Sequence, residues 1–186
     1  MTKMDPEEEK ELLDKNPHLR KYIENISLKM KKPTFYVKIP KDEKENKYPN
    51  LIYPTKGIVF IHLHRTPEME QIEYHAVEPK LTEDQIKKRD AVLERMYERA
   101  HFYSDINSPE DLRKAISTLL DKITVVDESA TEFDEEKQRG KIRITTEDKI
   151  AIKYNITKEI VGGGPLEPLM RDPNIEDIHI LTGEDV

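Results

Sequence analysis

Between Ser108 and Ile123 the apolar residues fall at Leu112, Ala115, Ile116, Leu119, Leu120 and Ile123. That spacing sets all of them on one side of an α-helix, and any fold must bury the stripe against a second element. Ser108-Pro109-Glu110-Asp111 supplies the start: a capping hydroxyl, a proline suited to the first turn, and acids at the positive helix end. Hydrophobic residues make up 35% of the chain and charged residues 37%, so small separate apolar clusters are expected rather than one thick core.

The same logic assigns the remaining elements. Asp5-Pro6-Glu7-Glu8 opens a first helix, and Asn16-Pro17 restarts the pattern with Leu19, Tyr22, Ile23, Ile26 and Met30 in helical register. Thr34 to Ile39 favours a strand that Pro40 ends, and Lys41 to Lys47 is a polar loop. Tyr48 to Tyr53 is held extended by Pro49 and Pro54. Ile58 to His64 and Gln71 to Val77 form a hairpin about a turn within Arg65 to Glu70. Thr82-Glu83-Asp84-Gln85 is a capping box, opening a helix to about His101 with Ile86, Leu93, Tyr97 and Ala100 on its apolar face. Val125 to Arg139 carries six acids and a lysine and is the expected linker. Thr146 to Val161 is a further helix, with Ile150, Tyr154 and Ile160 or Val161 inward, and Gly162-Gly163-Gly164 stops it. Ile175, Ile178 and Ile180 then begin a strand close to the last residue, as in an α/β domain cut short.

Composition closes off several function classes. A net charge of −7 argues against nucleic acid as a partner. No cysteine is present, which removes disulfides, thiolate metal sites and thiol nucleophiles. There is no apolar run of membrane-spanning length and no signal-peptide pattern at the start. Lysine and glutamate are abundant, as in proteins of hot environments.

Chemistry is sparse. A Walker A loop needs glycine, four residues, then glycine, lysine and serine or threonine. Gly140-Lys141 is followed by Ile142, and Glu135 stands where the first glycine belongs. Gly162 to Gly164 is followed by Pro165-Leu166, so the glycines stop a helix and cradle no phosphate. His62 and His64 share one strand face and His75 lies on the neighbouring strand, a candidate zinc set. The alternative places these histidines on the polar face of the hairpin, with Val59, Ile61 and Leu63 supplying the apolar face. No obvious carboxylate joins them, so no metal is expected to be required. Ser27, Ser104, Ser108, Ser117 and Ser129 form no catalytic arrangement with histidine. Lys87, Lys88, Arg89, Arg95 and Arg99 read as a solvated helix face, or as a contact for anionic lipid or a partner.

The run Ile160-Val161-Gly162-Gly163-Gly164-Pro165-Leu166-Glu167-Pro168-Leu169-Met170-Arg171-Asp172-Pro173-Asn174-Ile175-Glu176-Asp177-Ile178 resembles the signature of the type II/IV secretion ATPase superfamily. The matching positions are Gly162, Gly164, Pro165, Leu166, Glu167, Pro168, Leu169, Asp172, Pro173, Ile175, Glu176, Asp177 and Ile178. Leu166, Leu169 and Met170 are expected to pack inward. Asn16 to Tyr22, Tyr48 to Tyr53, Ile58 to Leu63 and Tyr74 to Pro79 are similar to the archaellum-motor branch of that superfamily. The resemblance implies the front of a cytoplasmic homo-hexameric motor, peripheral at the inner face of the membrane. It would dock on a membrane platform protein and other archaellum components, with ATP and magnesium held in a RecA-like domain elsewhere in the parent. No catalytic or cofactor-binding residue is carried over, because the Walker and histidine-box motifs are missing from this sequence.

The expected fold is α+β. Residues 1–126 would be a helical bundle with a β-hairpin, 127–143 a charged linker, and 144–186 the start of the α/β domain. The rival functions are the same region of an archaeal type IV pilus or type II secretion ATPase, a stand-alone adaptor, and a small zinc hydrolase.

Overall fold

The computed structural model describes residues 3–99, 106–133 and 140–179. The chain is α+β and divides into two compact units, Met1–Glu78 with Leu166–Val186, and Pro79–Pro165.

The first unit is built on a four-stranded sheet in the order β1-β2-β3-β4, formed by Thr34–Phe35, Asn50–Pro54, Phe60–His64 and Glu73–Val77. β1 pairs parallel to β2, and β2, β3 and β4 run antiparallel. The hairpin register sets His62 opposite His75 and His64 opposite Glu73. Two helices precede the sheet, α1 (Pro6–Lys15) and α2 (Pro17–Ser27). Asp5 caps α1 through a capping box with Glu8. Leu19 and Ile23 of α2 pack on Phe35, Ile52, Phe60 and Val77, which all lie on one face of the sheet. That face also carries His62 and His64, so the expected polar face of the hairpin is in fact the face beneath the helices. Leu51, Tyr53, Ile61 and Leu63 occupy the opposite face, and Ile61 is fully buried too. Both faces of the inner strands β2 and β3 are covered while Glu73 and His75 of edge strand β4 stay exposed, so the alternation reading fails at His62 and His64.

Two elements differ locally from the sequence pattern. Only Thr34–Phe35 forms a strand beside β2; the Tyr36 amide still donates to the Ile52 carbonyl at 2.8 Å, Tyr36 also bridges to Lys3, and no strand extends to Ile39. Lys41–Lys44 is a single helical turn, α3, rather than open loop. Gly57 turns the chain from β2 to β3 with φ 103°, a conformation that side chains with a Cβ rarely adopt.

The second unit packs three helices around a two-stranded parallel ladder. They are α4 (Glu83–Arg99), α5 (Pro109–Ile123) and α6 (Thr146–Ile160), with β5 (Thr124–Val126) beside β6 (Ile142–Ile144). Their core joins Val92, Met96, Ile116, Leu119, Leu120, Ile123, Ile142, Ile144, Ile152 and Ile156. The α5 stripe is buried as its spacing requires, and Ser108 caps the helix by accepting from the Asp111 amide at 3.1 Å. The capping box at α4 is also present: the Gln85 amide donates to Thr82 Oγ1 and the Thr82 amide to Gln85 Oε1.

Two expectations do not hold in this unit. Val125 and Val126 are exposed but pair in strand β5 with β6, where Ile142 and Ile144 are fully buried, so both ends of the expected linker are held in a ladder. Contacts therefore group residues 79–165 together rather than dividing the chain near 126 or 143. The helix phases also shift. The buried side of α4 is Gln85, Lys88, Val92 and Met96, whereas Ile86 and Tyr97 face solvent, Tyr97 at 72% exposure. On α6 the buried residues are Asp148, Ala151, Ile152, Tyr154 and Ile156, and Ile150 and Ile160 are exposed. Ala100 and His101 lie outside the described residues, as does Glu135.

After α6 the Val161 and Gly162 amides both donate to the Thr157 carbonyl, and Gly164 takes φ 56°, leaving the helix direction. A 3-10 turn at Gly164–Leu166 leads into α7 (Glu167–Met170). Met170 is 63% exposed and does not pack inward. Residues 175–179 pair with no strand, and Ile180 is outside the described residues.

Candidate functional site

Three histidine rings line the sheet face under α2 in the first unit. His62 and His64 are stacked with centroids 5.0 Å apart, and His64 and His75 with centroids 5.3 Å apart. The β pleat explains the row: alternate residues of β3 share a face, and the antiparallel register brings β4 alongside.

The three rings do different things. His62 is fully buried, its Nδ1 lying 2.8 Å from the Tyr22 hydroxyl and its Nε2 3.0 Å from Asn50 Oδ1. Asn50 Oδ1 only accepts, so Nε2 carries the proton and Nδ1 accepts from Tyr22. Both nitrogens are thereby used, and His62 is removed from the candidate zinc set. Burial, reinforced by His64 and His75, pushes its pKa down to about 4.

His64 and His75 converge on one carboxylate that the sequence reading missed. Glu73 Oε2 lies 2.9 Å from His75 Nε2 and 3.3 Å from His64 Nε2. Burial lowers the pKa of His64 against the pull of Glu73, and the His75 hydrogen bond lowers that of Glu73. His64 is buried, and its Nδ1 has no hydrogen-bond partner among the described residues. His64, Glu73 and His75 can thus present three ligand atoms within 4.8 Å of one another. Alternation alone carried the signal for Glu73, since it lies two residues before His75 on the same strand.

The opposite face of the sheet holds the signature segment. Asp172 is buried, and its Oδ2 accepts from the Tyr53 hydroxyl at 2.5 Å and the Tyr74 hydroxyl at 2.9 Å. Its Oδ1 takes the Asn174 amide at 2.9 Å and the Asn174 side-chain nitrogen at 3.1 Å. Burial and the bonds to Asp172 push both tyrosine pKa values up. With four donors, the carboxylate has little capacity left for a ligand and serves as a pin. A cleft of about 250 Å³ opens beside it, lined by Tyr53, Tyr74, Asp172 and Ile175 among others. Glu167 is also buried and pairs with Arg171, which donates further to the Lys56 carbonyl. Of the other signature positions, Pro168 is buried, Leu166, Leu169 and Ile175 are half-buried, and Pro165, Pro173, Glu176, Asp177 and Ile178 are exposed.

The basic stripe of α4 is not uniform. Lys88 is fully buried, donating to Asp148 Oδ2 at 2.7 Å, Asp84 Oδ2 at 2.8 Å and the Ala130 carbonyl at 2.7 Å. It therefore belongs to no lipid-facing surface. Arg89 pairs with Asp90 and Glu159, and Arg95 donates to the Gly140 carbonyl.

Fold and site together define an α+β protein with the segment around Asp172 pinned to one sheet face and a histidine–carboxylate cluster on the other. It is 37% identical over 185 residues to the uncharacterized protein MJ0900 of Methanocaldococcus jannaschii. The match covers 96% of this chain and 33% of the relative, so the chain spans about a third of that protein's length. No family model and no solved structure matches the chain.

Proposed function

We propose that the chain is the N-terminal docking and regulatory region of a hexameric secretion-type motor ATPase that powers archaellum assembly and rotation. The observation that carries this reading is the run from Gly162 to Ile178, which resembles the superfamily signature. Its residues act as a joint. Gly164 turns the chain out of α6 at φ 56°, the Glu167–Arg171 pair braces the next turn, and Asp172 fastens the segment to the sheet. The archaeal source of the relative, and its threefold greater length, support a module attached to a larger body. No helix among the described residues is long and apolar enough to cross a membrane. Docking on a platform protein would then be peripheral, from the cytoplasmic side.

ATP and magnesium belong, in this proposal, to a domain of the parent beyond this sequence, because no Walker A lysine is present to hold phosphate. The test is a deletion of residues 1–15 in the full-length parent, followed by two readouts. ATP turnover should persist, and assembly of the filament or attachment to the platform protein should fail. Loss of turnover with docking intact would place the segment in the catalytic machinery and reject the proposal. Purified isolated chain should show no ATP turnover of its own.

A further inference from the structure

We infer that His64, Glu73 and His75 form a site for one divalent transition ion, with zinc the first candidate. The inference does not rest on the motor reading. It starts from strand geometry: His64 and Glu73 are directly opposed across the β3–β4 ladder, and His75 follows Glu73 at the next position on the same face. A cross-strand pair plus an alternate neighbour is enough to surround an ion from one side.

Distances agree with that chemistry. With metal–nitrogen and metal–oxygen bonds of about 2.0–2.1 Å, neighbouring ligands of a tetrahedral ion lie about 3.3 Å apart. The Glu73 oxygen stands 3.3 Å from His64 Nε2 and 2.9 Å from His75 Nε2. The three ligand atoms all lie within 4.8 Å of one another, so a small movement of exposed Glu73 and His75 brings them around one ion. The donor set is two imidazoles and a carboxylate, which suits zinc and its neighbours better than magnesium or calcium. Glu73 and His75 are about half exposed, so an ion has a route in and a solvent-facing coordination position. His62 takes no part, because Tyr22 and Asn50 hold both its nitrogens.

The experiment titrates zinc, and separately cobalt, into the full chain after chelator treatment. Calorimetry should give one zinc per chain, and cobalt should develop the visible absorption of a four-coordinate ion. His75→Ala and Glu73→Gln change exposed side chains, so circular dichroism should show an intact fold. Each should weaken zinc at least about tenfold, since a direct ligand should matter no less than the outer-shell partners whose loss costs 10–100-fold. Zinc should raise the melting temperature of the native chain and leave that of His75→Ala unchanged. Absence of binding at micromolar zinc, or binding that folded His75→Ala retains in full, overturns the site.

Discussion

Lys88 Nζ lies 2.7 Å from Asp148 Oδ2, joining α4 to the first turn of α6 inside the second unit. The ammonium has three N–H donors, and Asp148, Asp84 and the Ala130 carbonyl take all of them. Gln85 donates to the other Asp148 oxygen at 2.9 Å. Burial opposes the lysine charge, but the bonds to Asp148 and Asp84 outweigh it and raise the pKa. Burial likewise opposes the Asp148 charge, and the bonds from Lys88, Gln85 and Thr145 outweigh it and lower that pKa.

Removing Lys88 leaves the buried Asp148 carboxylate with neutral donors, Gln85 and Thr145, and no opposite charge. Lys88→Met should therefore destabilise the chain by roughly 3–5 kcal/mol in urea melts, despite its similar volume and greater hydrophobicity. Lys87→Met, one residue away on the exposed side, should change stability by no more than about 0.5 kcal/mol. Equal small effects at both positions would show that Lys88 is solvated.

The phase of α4 gives a second contrast. Val92 is fully buried, and Tyr97 is 72% exposed. Val92→Ala should cost on the order of 1–3 kcal/mol, by loss of buried methyls and the cavity left behind. Tyr97→Ser should stay within about 0.5 kcal/mol. The reverse ranking would restore the face that Ile86, Leu93 and Tyr97 suggest from sequence.

The third prediction concerns pH. His62 titrates near 6.5 when unfolded, and its pKa is pushed down to about 4 in the fold. Between those values the unfolded chain binds a proton that the folded chain does not, so stability falls as pH drops from 6.5 toward 4. Above 6.5 the contribution is fully present. At about 1.4 kcal/mol per pH unit, the full loss from this ring is roughly 3 kcal/mol. His64 is lowered in the same direction and adds to the slope. Urea melts across this range, repeated on His62→Gln, should show a flatter acid limb in the variant. An unchanged limb would mean that other groups govern it.

Sequence alone determined the elements whose signals are local. The α5 stripe, its Ser108 cap, the Thr82–Gln85 box and the strands β3 and β4 depend on neighbours within a few residues, and all are found close to where the pattern puts them. Tertiary structure decided which faces are covered. Lys88 and His62 are polar, so a pattern reading sends them to solvent, yet partners distant in the chain make their burial affordable: Asp148 for Lys88, Tyr22 and Asn50 for His62. Alternation puts Glu73 on the face of His75, but only the β3–β4 register sets it opposite His64. Asp172 likewise gained its role from Tyr53 and Tyr74, about a hundred residues earlier in the chain. Periodicity reports the hydrophobicity of each side chain, whereas burial of a charged or polar group depends on complementary groups that only the folded chain brings within hydrogen-bond distance.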